Sequence, residues 1–161
     1  MAKYWVVNAS PIISLTKIDR IDLLNQLCDQ VIIPQGVADE ISLGGYTDSA
    51  ANWIEKSGKA FIQPAPVIDP KIANWDLGLG ESQVLSWAIQ RPNYEAIIDD
   101  LAARKAAKIL NIPVRGTLAI IVLAKQRGYI PSVKQDLDNL CQVGLRISPI
   151  LMAQAIALAG E

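Results

Sequence analysis

Tyr4-Trp5-Val6-Val7-Asn8-Ala9-Ser10-Pro11 is a short, apolar, β-prone run that stops at a polar residue and passes straight into a helix-start signal. Four bulky side chains in a row, without polar alternation, suit a strand covered on both faces. Ser10 before Pro11 suits a first helical turn, where the N–H that proline lacks has no partner anyway. The stretch therefore predicts a strand ending at Asn8 and a short helix from near Ser10 through Leu15. Ala96-Ile97-Ile98-Asp99-Asp100 has the same plan: an apolar strand, an acidic stop, then a helix from Leu101 to Leu110.

Working outward, Ile21 to Leu27 has helical spacing and Val31-Ile32-Ile33 reads as a second strand. Pro34 opens a helix carrying Val37, Glu40 and Ile41, with Gly44-Gly45 as its stop. Asp48 caps a further helix that contains Ala51, Trp53 and Ile54, and Ala60-Phe61-Ile62 reads as a strand. Pro64 to Gly80, rich in Pro and Gly, is the longest loop. Gly80-Glu81 opens a helix with Val84, Leu85, Ala88 and Ile89 at helical spacing, and Val114 centres a last short strand. Gly116-Thr117, Pro131-Ser132 and Pro149 each start one more helix, the last of them, Ile150 to Ala159, very apolar.

Strands alternating with helices predict an α/β chain, a three-layer α/β/α arrangement around a mostly parallel sheet of four to five short strands. One domain over residues 1–161 is expected, since this length is enough to bury a core of its own. Ligands in such folds sit outside the carboxyl ends of the strands. Asn8 and Asp99 both fall there.

Composition narrows the chemistry. The chain is 51% hydrophobic and 19% charged, with a net charge of −1. Nucleic acid binding would therefore need a local basic patch rather than the field of the whole molecule. Cys28 and Cys141 lie far apart without zinc-type spacing, no signal peptide is evident, and no run is long enough to span a membrane. A cytoplasmic protein is expected. There is no histidine at all, which removes Ser-His-Asp and Cys-His catalysis and points any hydrolase toward carboxylates and a metal.

Asn8, Glu40, Glu81 and the Asp99-Asp100 pair are the candidate ligands. Each has an ordinary explanation alone: strand end, solvated helix face, helix-dipole partner or N-cap. Together they would bring like charges to one sheet edge, where a cation must neutralise them. Mg²⁺ and Mn²⁺ prefer oxygen donors and need few carboxylates, so one ion or two would suit. Such a site can generate a hydroxide nucleophile and neutralise a phosphoryl group without histidine.

Val6-Val7-Asn8-Ala9-Ser10-Pro11-Ile12-Ile13, Val31-Ile32-Ile33-Pro34, Val37 with Glu40-Ile41, Leu79-Gly80-Glu81, Ile97-Ile98-Asp99-Asp100 with Ala103-Arg104, and Gly116-Thr117-Leu118 occur in that order. The ordered set, from about residue 4 to about residue 160, resembles the PIN-domain superfamily, in a VapC-like branch of unknown function. The resemblance implies a Mg²⁺- or Mn²⁺-dependent endoribonuclease, the toxin of a toxin–antitoxin pair held inactive by a small antitoxin protein, and commonly a homodimer. It places Asn8, Glu40 and Glu81 at the first three acidic positions. The fourth falls on Asp99 or Asp100, with Asp100 favoured as the metal ligand and Asp99 kept in the catalytic set. Ser10 or Thr117 would supply a hydroxyl to the substrate side. Asn8 departs from the Asp of most active members, although many of this branch resemble it there. An amide oxygen can still coordinate a metal, with one negative charge fewer. The alternative implied by that change is a catalytically weak or inactive protein-interaction module on the same scaffold.

Other signals are weaker. Gly78-Leu79-Gly80 has Gln83 where a dinucleotide loop has its third glycine, and it follows a loop rather than a strand. The Asp99-Asp100 pair closes the wrong strand for a receiver domain. Arg104, Lys105, Lys108 and Arg115 flank the acidic edge as phosphate contacts or as a solvated helix face. Arg104 is the preferred one, a helical turn after Asp100. The Ile150–Ala159 helix is expected to pack on the domain or into a dimer or partner groove.

Overall fold

A computed structural model describes residues 3–43 and 48–161. Strands β1 (Tyr4–Val7), β2 (Gln30–Pro34), β3 (Ile62–Gln63), β4 (Tyr94–Ile97) and β5 (Val114–Arg115) form one sheet in the order β3-β2-β1-β4-β5. Every pairing is parallel, and Val6 of β1 stands between Ile32 and Ala96. Parallel neighbours need crossovers. These are supplied by α1 (Ala9–Lys17), α2 (Leu23–Leu27), α3 (Gln35–Leu43), α4 (Asp48–Glu55), α5 (Pro70–Ala73), α6 (Leu79–Gln90) and α7 (Leu101–Ile109). Helices α8 (Thr117–Gln126), α9 (Val133–Gln142) and α10 (Pro149–Leu158) follow the last strand. The result is the three-layer α/β/α fold that the alternation predicts. Central β1 buries Trp5, Val6 and Val7 completely, as a strand covered on both faces must.

Several boundaries differ from the sequence reading, each for a local reason. Ala60 and Phe61 lie in a 3₁₀ turn (Ser57–Phe61), and β3 begins only at Ile62. Phe61 stacks on Trp53 with ring centroids 6.0 Å apart, and that packing overrides its strand preference. The long loop contains α5, because Asp69 caps it by accepting a hydrogen bond from the Lys71 N–H at 2.9 Å and Pro70 takes the first helical position. Pro34 ends β2 rather than opening α3, and the Gly44-Gly45 stop lies outside the described residues. Helix α10 packs on α8 and α9 but buries only Ala155, leaving Ile150 and Leu158 about 70% exposed (71% and 68%). No helix among the described residues is long and apolar enough to cross a membrane.

Candidate active site

The sheet order runs outward from β1 toward β2 on one side and from β4 toward β5 on the other. The two neighbours at this reversal diverge at their carboxyl ends and leave a crevice between their connections. Asn8 leaves β1 there, and its N–H still donates to the Ile97 carbonyl of β4 at 2.9 Å. Asn8 stands at the N-cap position of α1, yet its side chain makes no capping hydrogen bond. The residue is 3% exposed and its amide oxygen Oδ1 has no hydrogen-bond partner. An orphaned buried acceptor costs on the order of 1–3 kcal/mol, so this one calls for an explanation.

Gly80, in the first turn of α6, forms the floor beneath that oxygen. A Cβ on Gly80 would lie 3.2 Å from Asn8 Oδ1 and 3.6 Å from Glu40 Oε2. The amide and the carboxylate thus share one small space, open because residue 80 has no side chain. Glu40 comes from α3 and Glu81 from α6, and the two are electrostatically in touch. Burial, and secondarily the charge of Glu81, push the Glu40 carboxyl above the usual carboxylate range.

A hydrogen bond ties α3 to α6 through Gln83, a residue that the sequence reading used only as a mismatch to a glycine pattern. Its side chain is 5% exposed, and its Oε1 accepts the Gly36 N–H at 2.8 Å. That N–H belongs to the first turn of α3, where no intrahelical partner exists. One buried amide therefore links the helices that carry Glu40 and Glu81. The only trace of it in the sequence is a polar residue beside Val84 and Leu85.

The two aspartates after β4 point in different directions. Asp100 is the N-cap of α7, its Oδ2 accepting the Ala103 N–H at 2.9 Å. Asp99 instead accepts the Thr117 N–H at 2.8 Å on Oδ1, and on Oδ2 the hydroxyls of Thr117 at 2.7 Å and Ser10 at 3.2 Å. Ser10 and Thr117, weighed as alternatives from the sequence, converge on the same carboxylate. Arg104 donates from Nη1 to the Ile98 carbonyl at 3.1 Å. A Cβ on Gly116 would stand 2.8 Å from that Nη1 and 3.0 Å from Asp99 Oδ1, which brings guanidinium and carboxylate to the same glycine.

Among the described residues no three Asp, Glu, His or Cys side chains close into a metal cluster. Glu40 lies across the Gly80 space from Asn8, Glu81 is felt by Glu40 as a neighbouring charge, Asp99 is taken up by hydroxyls and an N–H, and Asp100 is taken up by its helix. The donor set nevertheless fits a hard divalent ion: all the atoms are oxygens, two are glutamate carboxylates, and one is a buried amide oxygen with nothing else to bind. Asp99, Arg104, Arg115 and Arg146 also line a groove of about 700 Å³ whose remaining wall is mostly the apolar side chains of α8 and α10.

A parallel α/β sheet with an oxygen-rich switch point is the class of domain these features define. The chain belongs to the PIN-domain family: the family model described as DUF3368, PIN domain, matches residues 4–161. No curated protein and no solved structure matches it. PIN domains are nuclease-like, generally use divalent metals, bind RNA and often pair with antitoxins.

Proposed function

We propose that this chain is a divalent-metal-dependent endoribonuclease with its centre at Asn8, Glu40, Glu81 and Asp99. The observation that carries this reading is the buried, partnerless Asn8 Oδ1 facing the Glu40 carboxylate across Gly80. Asn8, Glu40 and Glu81 would hold a Mg²⁺ or Mn²⁺ ion, and Asp99 replaces Asp100 as the fourth acid because Asp100 is committed to capping α7. The ion, when bound, supplies activation of water and neutralisation of phosphoryl charge.

The chain's own residues do the rest. Ser10 and Thr117 orient Asp99 by donating their hydroxyls to its Oδ2. Arg104, already anchored to the Ile98 carbonyl, meets a phosphate of the strand at the same edge. Gln83 links the helices that carry the two glutamates from behind.

A role as the toxin of a toxin–antitoxin pair is supported by the apolar groove that Asp99 and three arginines line, a shape suited to an amphipathic partner segment. Exposed Ile150 and Leu158 of α10 supply apolar surface for a homodimer. The free thiols of Cys28 and Cys141 agree with a reducing, cytoplasmic setting. The rival reading, a PIN scaffold that binds proteins without catalysis, rests on the missing charge at Asn8. Calorimetry with Mn²⁺ separates the two. Saturable binding that is lost in Glu81→Gln is expected; no binding at millimolar Mn²⁺ would favour the rival.

A further inference from the structure

Two hollows flank the switch point at opposite edges of the sheet, and their charges are opposite. The one at the β3 edge, about 260 Å³, is lined by Asp39 and Glu55 against a single cation, Lys59. The one at the β5 edge, about 500 Å³, is lined by Arg104, Lys105 and Lys108 of α7 with no acidic residue. In a chain of net charge −1, three cations gathered without an acid are conspicuous. Among the described residues the ion pairs are made by Arg20, Arg115, Lys125 and Lys134, and by none of these three; Arg104 is anchored through Nη1 on the Ile98 carbonyl, and Lys105 and Lys108 are exposed.

Their spacing makes a row. Residues three and four apart on a helix are surface neighbours with Cβ atoms roughly 5–6 Å apart, so Lys108 stands beside both Arg104 and Lys105. Arg104 belongs to two places at once. It lines this hollow, and its guanidinium shares the Gly116 corner with Asp99. A polyanion seated on the row therefore runs directly into the carboxylate edge, whereas the β3-edge hollow would repel it.

The geometry points to the α7–β5 hollow as a track for single-stranded RNA, with backbone phosphates on Arg104, Lys105 and Lys108. This deepens the ribonuclease reading and rests on it for the identity of the polyanion. The track contacts phosphates rather than base edges, so it adds affinity without sequence preference.

The test is the binding of a short fluorescent single-stranded RNA by anisotropy across a salt titration. The full chain carries Glu81→Gln to prevent cleavage, and it is compared with the same chain bearing Lys105→Gln and Lys108→Gln as well. Glutamine keeps helix propensity, and both lysines are exposed, so folding is preserved; circular dichroism verifies it. Removing two phosphate contacts should lower the slope of log K against log salt by about 1.4. The loss should be equal for RNAs of different sequence, and Lys134→Gln should leave the slope unchanged. An unaltered slope in the double-lysine variant overturns the track, and so does failure of the lysine-bearing chain to bind RNA. If the double variant instead loses only a polyglutamate peptide, the hollow is a protein surface and the track is wrong. Should wild-type protein bind RNA through these lysines yet never cleave it, the track stands and the nuclease reading falls. Cleavage with an unaltered slope gives the reverse.

Discussion

Thr117 gives both of its polar groups to Asp99: its N–H meets Oδ1 at 2.8 Å and its hydroxyl meets Oδ2 at 2.7 Å. Thr117 is fully buried at the start of α8, so the carboxylate is held by a rigid element and not by a loop.

Replacing Thr117 by Val keeps the shape and removes the hydroxyl. Stability should fall by about 1.5–3 kcal/mol, the usual loss for a hydrogen bond to a charged group. Nuclease activity should fall by about 10–100-fold, as expected when the partner of a metal-site acid is lost. Thr117→Ser should stay near the parent in both. Urea unfolding and an RNA cleavage assay read the two effects.

The two adjacent aspartates should separate cleanly. Asp99→Asn should abolish cleavage, while Asp100→Asn should leave both activity and stability nearly intact because Asn caps a helix as well as Asp. Asp100→Ala should cost about 0.5–2 kcal/mol in urea unfolding with cleavage retained. Equal loss of activity at both positions would contradict the separate roles proposed for them.

Gly80→Ala sets stability against function. A methyl group there enters the space between Asn8 Oδ1 and Glu40 Oε2, at 3.2 and 3.6 Å from them. Alanine gains roughly 0.8–1 kcal/mol of helix propensity over glycine. The variant should melt no lower than the parent and bind Mn²⁺ more weakly by calorimetry. A variant that melts lower and binds Mn²⁺ normally would show that the space is only packing.

Glu40 sets a pH dependence. Burial first, and the Glu81 charge second, raise its pKa in the folded state above the value of an unfolded glutamate. The folded chain then holds a proton that the unfolded chain releases, so this contribution to stability is complete below the unfolded value. It is lost as pH rises through the folded one. Metal-free protein should therefore lose stability from Glu40 across the range just above the ordinary glutamate pKa, and Mn²⁺ affinity should rise over the same range. Denaturation series with EDTA and with Mn²⁺ check both directions.

The fold was legible because both strands at the switch point are uninterrupted apolar runs closed by polar residues, Val6-Val7-Asn8 and Ile97-Ile98-Asp99. Places where tertiary contacts decide were not. The stacking of Phe61 on Trp53 shifts β3, and the Asp69 cap inside a Pro-rich stretch makes a helix of an expected loop. Asn8 and Glu40, named from sequence as candidates, do meet at one space in the fold, whereas the sequence offered no ground for telling the surroundings of Asp99 from those of Asp100. Both follow the same strand, and only the position of α8 draws one of them toward Thr117. Gln83 was invisible for a related reason: its partner, the Gly36 N–H, lies 47 positions away in the chain.

In the proposed function the Asn8, Glu40 and Glu81 oxygens make a metal-dependent nuclease despite the amide at the first position. The most direct measurement is cleavage of single-stranded RNA against Mn²⁺ concentration, with wild type and Glu81→Gln purified in parallel. Cleavage should rise with Mn²⁺, stop with EDTA, and fall by about 100-fold or more in Glu81→Gln. Intact RNA with wild-type protein at every Mn²⁺ concentration, or equal cleavage by both proteins, would contradict it.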